Sequence, residues 1–418
     1  MTTRWEWLGL RTNLLRDDGE RAEKVSFIEL FFDLVFVFAI TQVSHTFVAS
    51  IDEGHVVDGF LQATVVLLAV WWVWVYTAWV TNWLDPDKGA VRWMLIALMV
   101  LGLVFSTSIP EAFDGRALLF ATAYVVMQIG RALFTISSMI RFEPVNALNV
   151  TRLTIWFGVS AIFWFAGAFV SDAWARLALW SIAIVIEYLG PVSRYWVPGL
   201  RSSFIGGIPI RGGHIAERAG LFVIIAIGES VLVTGAAFTQ SPITGTSTLA
   251  FLAAVTGSIL LWLLYFSRAE RGGSRYIQRH ENPSTVAANS YTYLHVVLVG
   301  GIVAVAVADE LVLAHPTGPA RLLTIALVYG APAVYLFGNL IFKRSVGAPW
   351  LRSHLVGTAA LVMLGVGSAL VTTGLSALAH SWIANVILAG VVIGEEVDFR
   401  RTMRTWRAER ATQDVQLG

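Results

Sequence analysis

A chain of 418 residues that is 56% hydrophobic and 14% charged, with mean hydropathy +0.68, departs too far from globular averages to be water-soluble and reads as an integral membrane protein. Its 28 acidic and 29 basic residues nearly cancel, so there is no basic excess for a nucleic-acid partner. The absence of cysteine excludes disulfides, thiolate zinc sites, iron–sulfur clusters and a cysteine nucleophile.

The first 26 residues are mixed in charge and lack the uninterrupted apolar core of a signal peptide, so they read as an arm (1–26) ahead of the first span. Apolar segments long enough to cross about 30 Å of hydrocarbon follow near 27–48, 59–80, 93–108, 116–137, 153–170 and 174–190. After a linker at 191–214, six more lie near 215–238, 247–266, 287–308, 320–341, 354–372 and 376–394, and a basic tail fills 395–418. The predicted fold is therefore all-α, a polytopic transmembrane helical bundle of about 12 spans. Loop charge tests that count, because Lys and Arg collect on the cytoplasmic side. Of 29 Lys and Arg, 24 fall in the arm, the tail and every second loop, including Arg268, Arg271, Arg275 and Arg279 in one loop. The opposite loops hold Arg116, Arg176 and Arg321, and Arg131 and Arg218 lie inside spans. Both termini are thus expected in the cytoplasm, the chain crossing its membrane many times.

Span starts at 27 and 59 recur at 215 and 247, an offset of 188 residues. That predicts two parallel six-helix repeats, 27–190 and 215–394, which enter the membrane in the same direction because six is even.

Polar residues inside the spans carry the functional reading. Glu29 and Asp33, four apart in ELFFDLVFVFAI, share one helix face. An ionised acid at the centre of a span costs about 2.5–3.5 kcal/mol, so each needs water or a partner. Arg131, Glu187, His214, Glu217, Arg218 and His295 fall in the same leaflet, and Glu229 lies deeper; Asp309 and Glu310 sit at the outer mouth. Arg218, Phe222, Ile225 and Glu229 follow one helical stripe, which could face a wet cavity. Each residue also has a plain structural role open to it. Ser26-x-x-Glu29 has the form of a capping box; Asp33 can pair with Arg131, Arg218 or His295; Arg131 can snorkel; His214 and Glu217 can be interfacial; and Trp71, Trp72, Trp74 and Trp79 can pack helices and anchor interfaces.

FIELFFDLVFVFAI at 27–40, HIAERAGLFVIIAIGES at 214–230 and YLHVVLVGGI at 293–302 together resemble the bacterial low temperature requirement A (LtrA) family over nearly the whole chain. The resemblance implies a polytopic bacterial membrane protein and makes Glu29, Asp33, His214, Glu217, Arg218, Glu229 and His295 the family's characteristic polar positions. A fainter likeness, to two-repeat potassium channels whose first helix carries R-x-x-x-F-S-D-G, fits at Asp33 and Ala39-Ile40-Thr41 but departs at Phe27, Phe32 and Leu34.

Three functions stay open. In the first, a transporter or ion-conducting protein, spans one and seven line a pathway between the halves; Asp33 and Glu229 bind a proton or cation, Arg131 and Arg218 are countercharges, and His295 is a relay. In the second, an intramembrane enzyme acts on a lipid-like substrate. Against it, H-E-x-x-H, D-D-x-x-D and G-x-S-x-G are absent and His214-x-x-Glu217 is a single weak pair. The third is a membrane scaffold or sensor. No cofactor or metal is expected: metal-ligand spacing is poor, and haem is disfavoured because His45 and His295 are placed in opposite leaflets; the bilayer and an unidentified small solute or ion are the expected partners, with oligomeric state open.

Overall fold

The computed structural model describes residues 13–16, 24–200, 211–240, 242–266, 288–371 and 374–417, with no account of the side chains of 288, 289 and 401–417. Arg4, Arg11, Arg21, Arg201, Arg268, Arg271, Arg275 and Arg279, counted above for topology, lie outside the described residues. Among the described residues there are no strands, and 12 helices are long and apolar enough to cross a membrane. The chain is all-α and a multi-pass membrane protein.

The helices are α1 (Phe27–Asp52), α2 (Val56–Trp83), α3 (Gly89–Ser108), α4 (Ala117–Met139), α5 (Pro144–Phe169), α6 (Ala173–Val192), α7 (Gly212–Gln240), α8 (Gly245–Tyr265), α9 (His295–Ala314), α10 (Leu322–Ser345), α11 (Arg352–Val371) and α12 (Ala377–Leu417). A π turn, Ala288–Leu294, leads into α9. The backbone of α12 continues helically through residues expected to form a separate tail.

The chain divides into two compact units, one of residues Met1–Glu229 and Gly273–Val296, the other of Ser230–Gly272 and Val297–Gly418. In the first unit α1 packs on α2 and α3, α4 on α3 and α5, and α5 on α6. Two faces of α1 explain its place. Phe27, Phe31, Leu34 and Phe38, spaced 4, 3 and 4, are exposed and apolar, a surface suited to lipid. Glu29, Phe32, Asp33, Phe36 and Ile40 are buried on the opposite side. Gly102 on α3 makes this packing possible, since a Cβ there would stand 2.9 Å from Val35 Cγ1. The Trp run on α2 faces inward: Trp71, Trp72 and Trp74 are buried, so they pack helices and do not anchor interfaces. Residues 13–16 lie against the end of α2, where Arg16 N–H donates to the Trp83 carbonyl and Asp85 N–H to that of Leu14.

In the second unit α10 packs on α11 and α12, and α8 on α12. Gly301 of α9 meets α10 so closely that a Cβ would lie 3.0 Å from the backbone of Tyr335. Asp309, expected at the outer mouth, is buried at 7% exposure among helices of this unit.

Candidate functional site

The capping box predicted for Ser26 and Glu29 forms, and it does more than end a helix. Glu29 Oε2 accepts from the Ser26 backbone N–H at 2.9 Å and from the Ser26 hydroxyl at 3.0 Å. The same carboxylate collects two guanidinium groups and an imidazole. His214 Nε2 stands 3.0 Å from Oε1, Arg218 Nη1 3.6 Å from Oε1, and Arg16 Nη2 3.3 Å from Oε2. One turn on, Asp33 Oδ1 accepts from Arg218 Nη2 and, at 2.7 Å, from the indole N–H of Trp74. Of the partners the sequence allowed to Asp33, Arg218 is the one the fold brings.

Arg218 is held through its two terminal nitrogens, while its buried Nε has no hydrogen-bond partner among the described residues. Its Nη1 donates to the Thr81 hydroxyl at 2.8 Å, and its guanidinium lies 5.8 Å from the Phe32 ring centre and 5.7 Å from that of Trp74. The second nitrogen of His214 faces Asn82 Nδ2 at 3.3 Å, and that amide also donates to the Arg211 carbonyl at 3.0 Å. Arg211 returns two contacts, donating to the carbonyls of Asn82 and Arg16 at 2.8 Å each. Burial lowers the proton affinity of the Arg16 guanidinium from its ordinary value while Glu29 works against that shift. An arginine stays charged under such a shift.

The expected hydration of these groups is not what the fold supplies. The side chains of Glu29, Asp33, His214 and Arg218 are each 0% exposed, so the nest is closed. Two carboxylates facing Arg16, Arg218 and an imidazole neutralise one another, and mutual pairing replaces water. Glu29, Asp33, His214 and Arg218 all belong to the first unit.

The remaining candidates separate. Glu217 is exposed and accepts the Val25 N–H at 3.3 Å, outside the nest. Arg131 does not reach Asp33 or snorkel: at 2% exposure its Nη1 donates to the Val73 carbonyl and the Thr77 hydroxyl at 3.0 Å, and its Nη2 to Gln128 Oε1. His295 is also elsewhere, its Nδ1 2.8 Å from the Ser290 carbonyl and its ring stacked on Tyr291 at 4.8 Å. Glu229 is half-buried and bonded to the Thr41 hydroxyl of α1. Along its stripe, Arg218 and Phe222 are buried while Ile225 and Glu229 are partly open.

A second polar centre in the same unit involves Glu187, which sequence reading had placed within a span without a role. Its Oε1 accepts from Ser160 at 2.6 Å and Trp164 at 3.0 Å; its Oε2 accepts from Tyr124 and Gln128. Gln128 thus joins Glu187 to Arg131, its amide N–H on the acid and its oxygen on the guanidinium. The only sequence signal for this centre is polar residues inside apolar spans, which identifies members but not pairs.

The family model described as bacterial low temperature requirement A protein (LtrA) matches residues 24–393, a stretch holding every buried polar group above except Arg16. A protein of Rhizobium meliloti (strain 1021), described as uncharacterized, is 35% identical over 395 residues, covering 94% of each chain. No solved structure matches. The chain belongs to the bacterial low temperature requirement A family of membrane proteins.

Proposed function

We propose that this protein is a transporter or ion-conducting protein of the bacterial cytoplasmic membrane, with both termini cytoplasmic, built from two six-helix halves. The closed nest of Glu29, Asp33, His214 and Arg218 is a fixed clamp on its cytoplasmic side, and Glu229 is the acid that exchanges a proton or cation. One observation carries this reading: among the described residues Glu229 forms no ion pair, unlike Glu29 and Asp33, and its carboxylate is partly open and bonded to the Thr41 hydroxyl. It lies 11 residues beyond Arg218 on α7, about 16 Å along the axis at 1.5 Å per residue. An acid so deep in a span, without a fixed cation, leaves its countercharge to be supplied by a mobile species.

The test is flux. Purified protein in sealed vesicles is expected to move protons or a small cation down an imposed gradient, and Glu229→Gln to lower the rate at least about tenfold with unchanged folding by size-exclusion profile and thermal melt. A Glu229→Gln variant with the wild-type rate removes Glu229 from the mechanism. No flux for wild type under proton, sodium and potassium gradients favours the scaffold reading, to which the sealed state of the nest lends itself. The lipid-directed enzyme gains no support from the arrangement of these residues.

A further inference from the structure

The second unit has a polar centre of its own, independent of the transport reading. A cavity of about 20 Å³ lies among α8, α9, α10 and α12. That is room for one water-sized occupant. Its polar lining includes Asp309 of α9 and Ser381 and Asn385 of α12. Asp309 is buried, and its Oδ2 has no hydrogen-bond partner among the described residues.

Three further features give the cavity its character. Pro332 lies inside α10 and lines the cavity together with Val328, four residues earlier. Proline has no N–H, so the helical hydrogen bond to the Val328 carbonyl is missing and that oxygen is left without its usual donor. Asn385 commits its amide N–H to the Ala253 carbonyl at 2.8 Å, which leaves Oδ1 as its acceptor end. That oxygen stands against Gly257, where a Cβ would come within 3.1 Å of it. Among the described residues no Lys, Arg or His lines the space.

The lining therefore offers oxygen and no positive charge: a carboxylate with an unused oxygen, a peptide carbonyl freed by proline, an amide oxygen and a hydroxyl. Hard oxygen ligands of this kind select hard cations. A single carboxylate balances one positive charge, whereas calcium and magnesium sites draw on more oxygens and usually more carboxylates. Freed carbonyls at an interrupted helix, near an acid inside the membrane, are a known way to hold sodium. A proton alone would neutralise Asp309 but would need neither the space nor the other oxygens.

We propose that the Asp309 cavity is a binding site for one sodium ion, coordinated by Asp309 Oδ2, the Val328 carbonyl, Asn385 Oδ1 and the Ser381 hydroxyl.

The experiment is equilibrium binding to the purified full-length protein in detergent, with radioactive sodium in a choline chloride background and a parallel thermal melt. Saturable binding of one sodium per chain is expected, with a melting temperature that rises with sodium but not with choline. Asp309→Asn is expected to weaken binding at least about tenfold. Should that variant not fold, Ser381→Ala, a milder change to the same shell, is expected to weaken binding in the same direction. Absence of saturable sodium binding across pH 6–9 overturns the site in favour of a protonated acid, as does wild-type binding in both variants. Because no flux is measured, failure here leaves the role of Glu229 untouched, and failure of Glu229 leaves this site untouched.

Discussion

An Arg218→Met chain is expected to lose about 3–5 kcal/mol of stability, because the change strips the cation from a buried acid pair. The two acids suffer unequally. Glu29 keeps His214, Arg16 and the Ser26 donors, whereas Asp33 keeps only the Trp74 indole. Asp33 becomes the uncompensated charge, so adding Asp33→Asn to Arg218→Met should recover a large part of the loss. Asp33→Asn alone should cost less than Arg218→Met, since Arg218 retains Glu29 at 3.6 Å and Thr81 at 2.8 Å. Thermal melts of the two single variants and the double variant give the coupling directly. Equal losses for both single variants, with no recovery in the double, would show that the pair is not the unit holding α1 to α7.

Glu187→Leu is expected to be comparably harmful, and Glu187→Gln mild. Leucine leaves the Trp164 indole and the Tyr124 hydroxyl without an acceptor in a dry interior, while Ser160 keeps the Phe157 carbonyl and Gln128 the Tyr124 oxygen, each at 3.1 Å. Each orphaned donor costs about 1–3 kcal/mol, though such costs do not add in full. Glutamine can keep its oxygen at the Oε1 position, where the Trp164 indole has no other role than donor. Its NH2 then falls at the Oε2 position, where the Tyr124 hydroxyl can turn to accept. The measurement is the fraction of monodisperse protein recovered after heating, compared across wild type and both variants. Equal recovery for Gln and Leu would mean that Glu187 is held by packing and not by its four donors.

Position along each helix was legible in the sequence, because it needs only the span ends and the rise per residue. The number of spans, the inward face of Glu29 and Asp33 on α1, and the capping contact of Ser26 follow from local sequence pattern. Azimuth was not legible. Arg131 has the depth to meet Asp33, but α4 turns it toward the Val73 carbonyl, and every residue has a carbonyl, so no residue type announces that partner. His295 was expected in the leaflet of the nest, yet its imidazole goes to a carbonyl in the turn before it. The dryness of the nest was equally hidden, since hydration depends on closure by Phe32, Trp74 and Phe222, residues that any apolar span could present to lipid or to protein.

The π turn ahead of α9 ties a backbone irregularity to two aromatic side chains far away in the chain. Thr292 within it gives its carbonyl to the Trp71 indole at 2.7 Å and its hydroxyl to that of Trp79 at 3.0 Å. Such a turn amounts to one residue inserted into an α-helix. In relatives shortened by one residue at this point, the ordinary ladder would reclaim the carbonyl and swing the hydroxyl about 100° around the axis. Neither indole would then have an acceptor, so those sequences should carry hydrocarbon side chains where this one has Trp71 and Trp79. Chain length before α9 and indole content in α2 should therefore covary across the family, which an alignment can check.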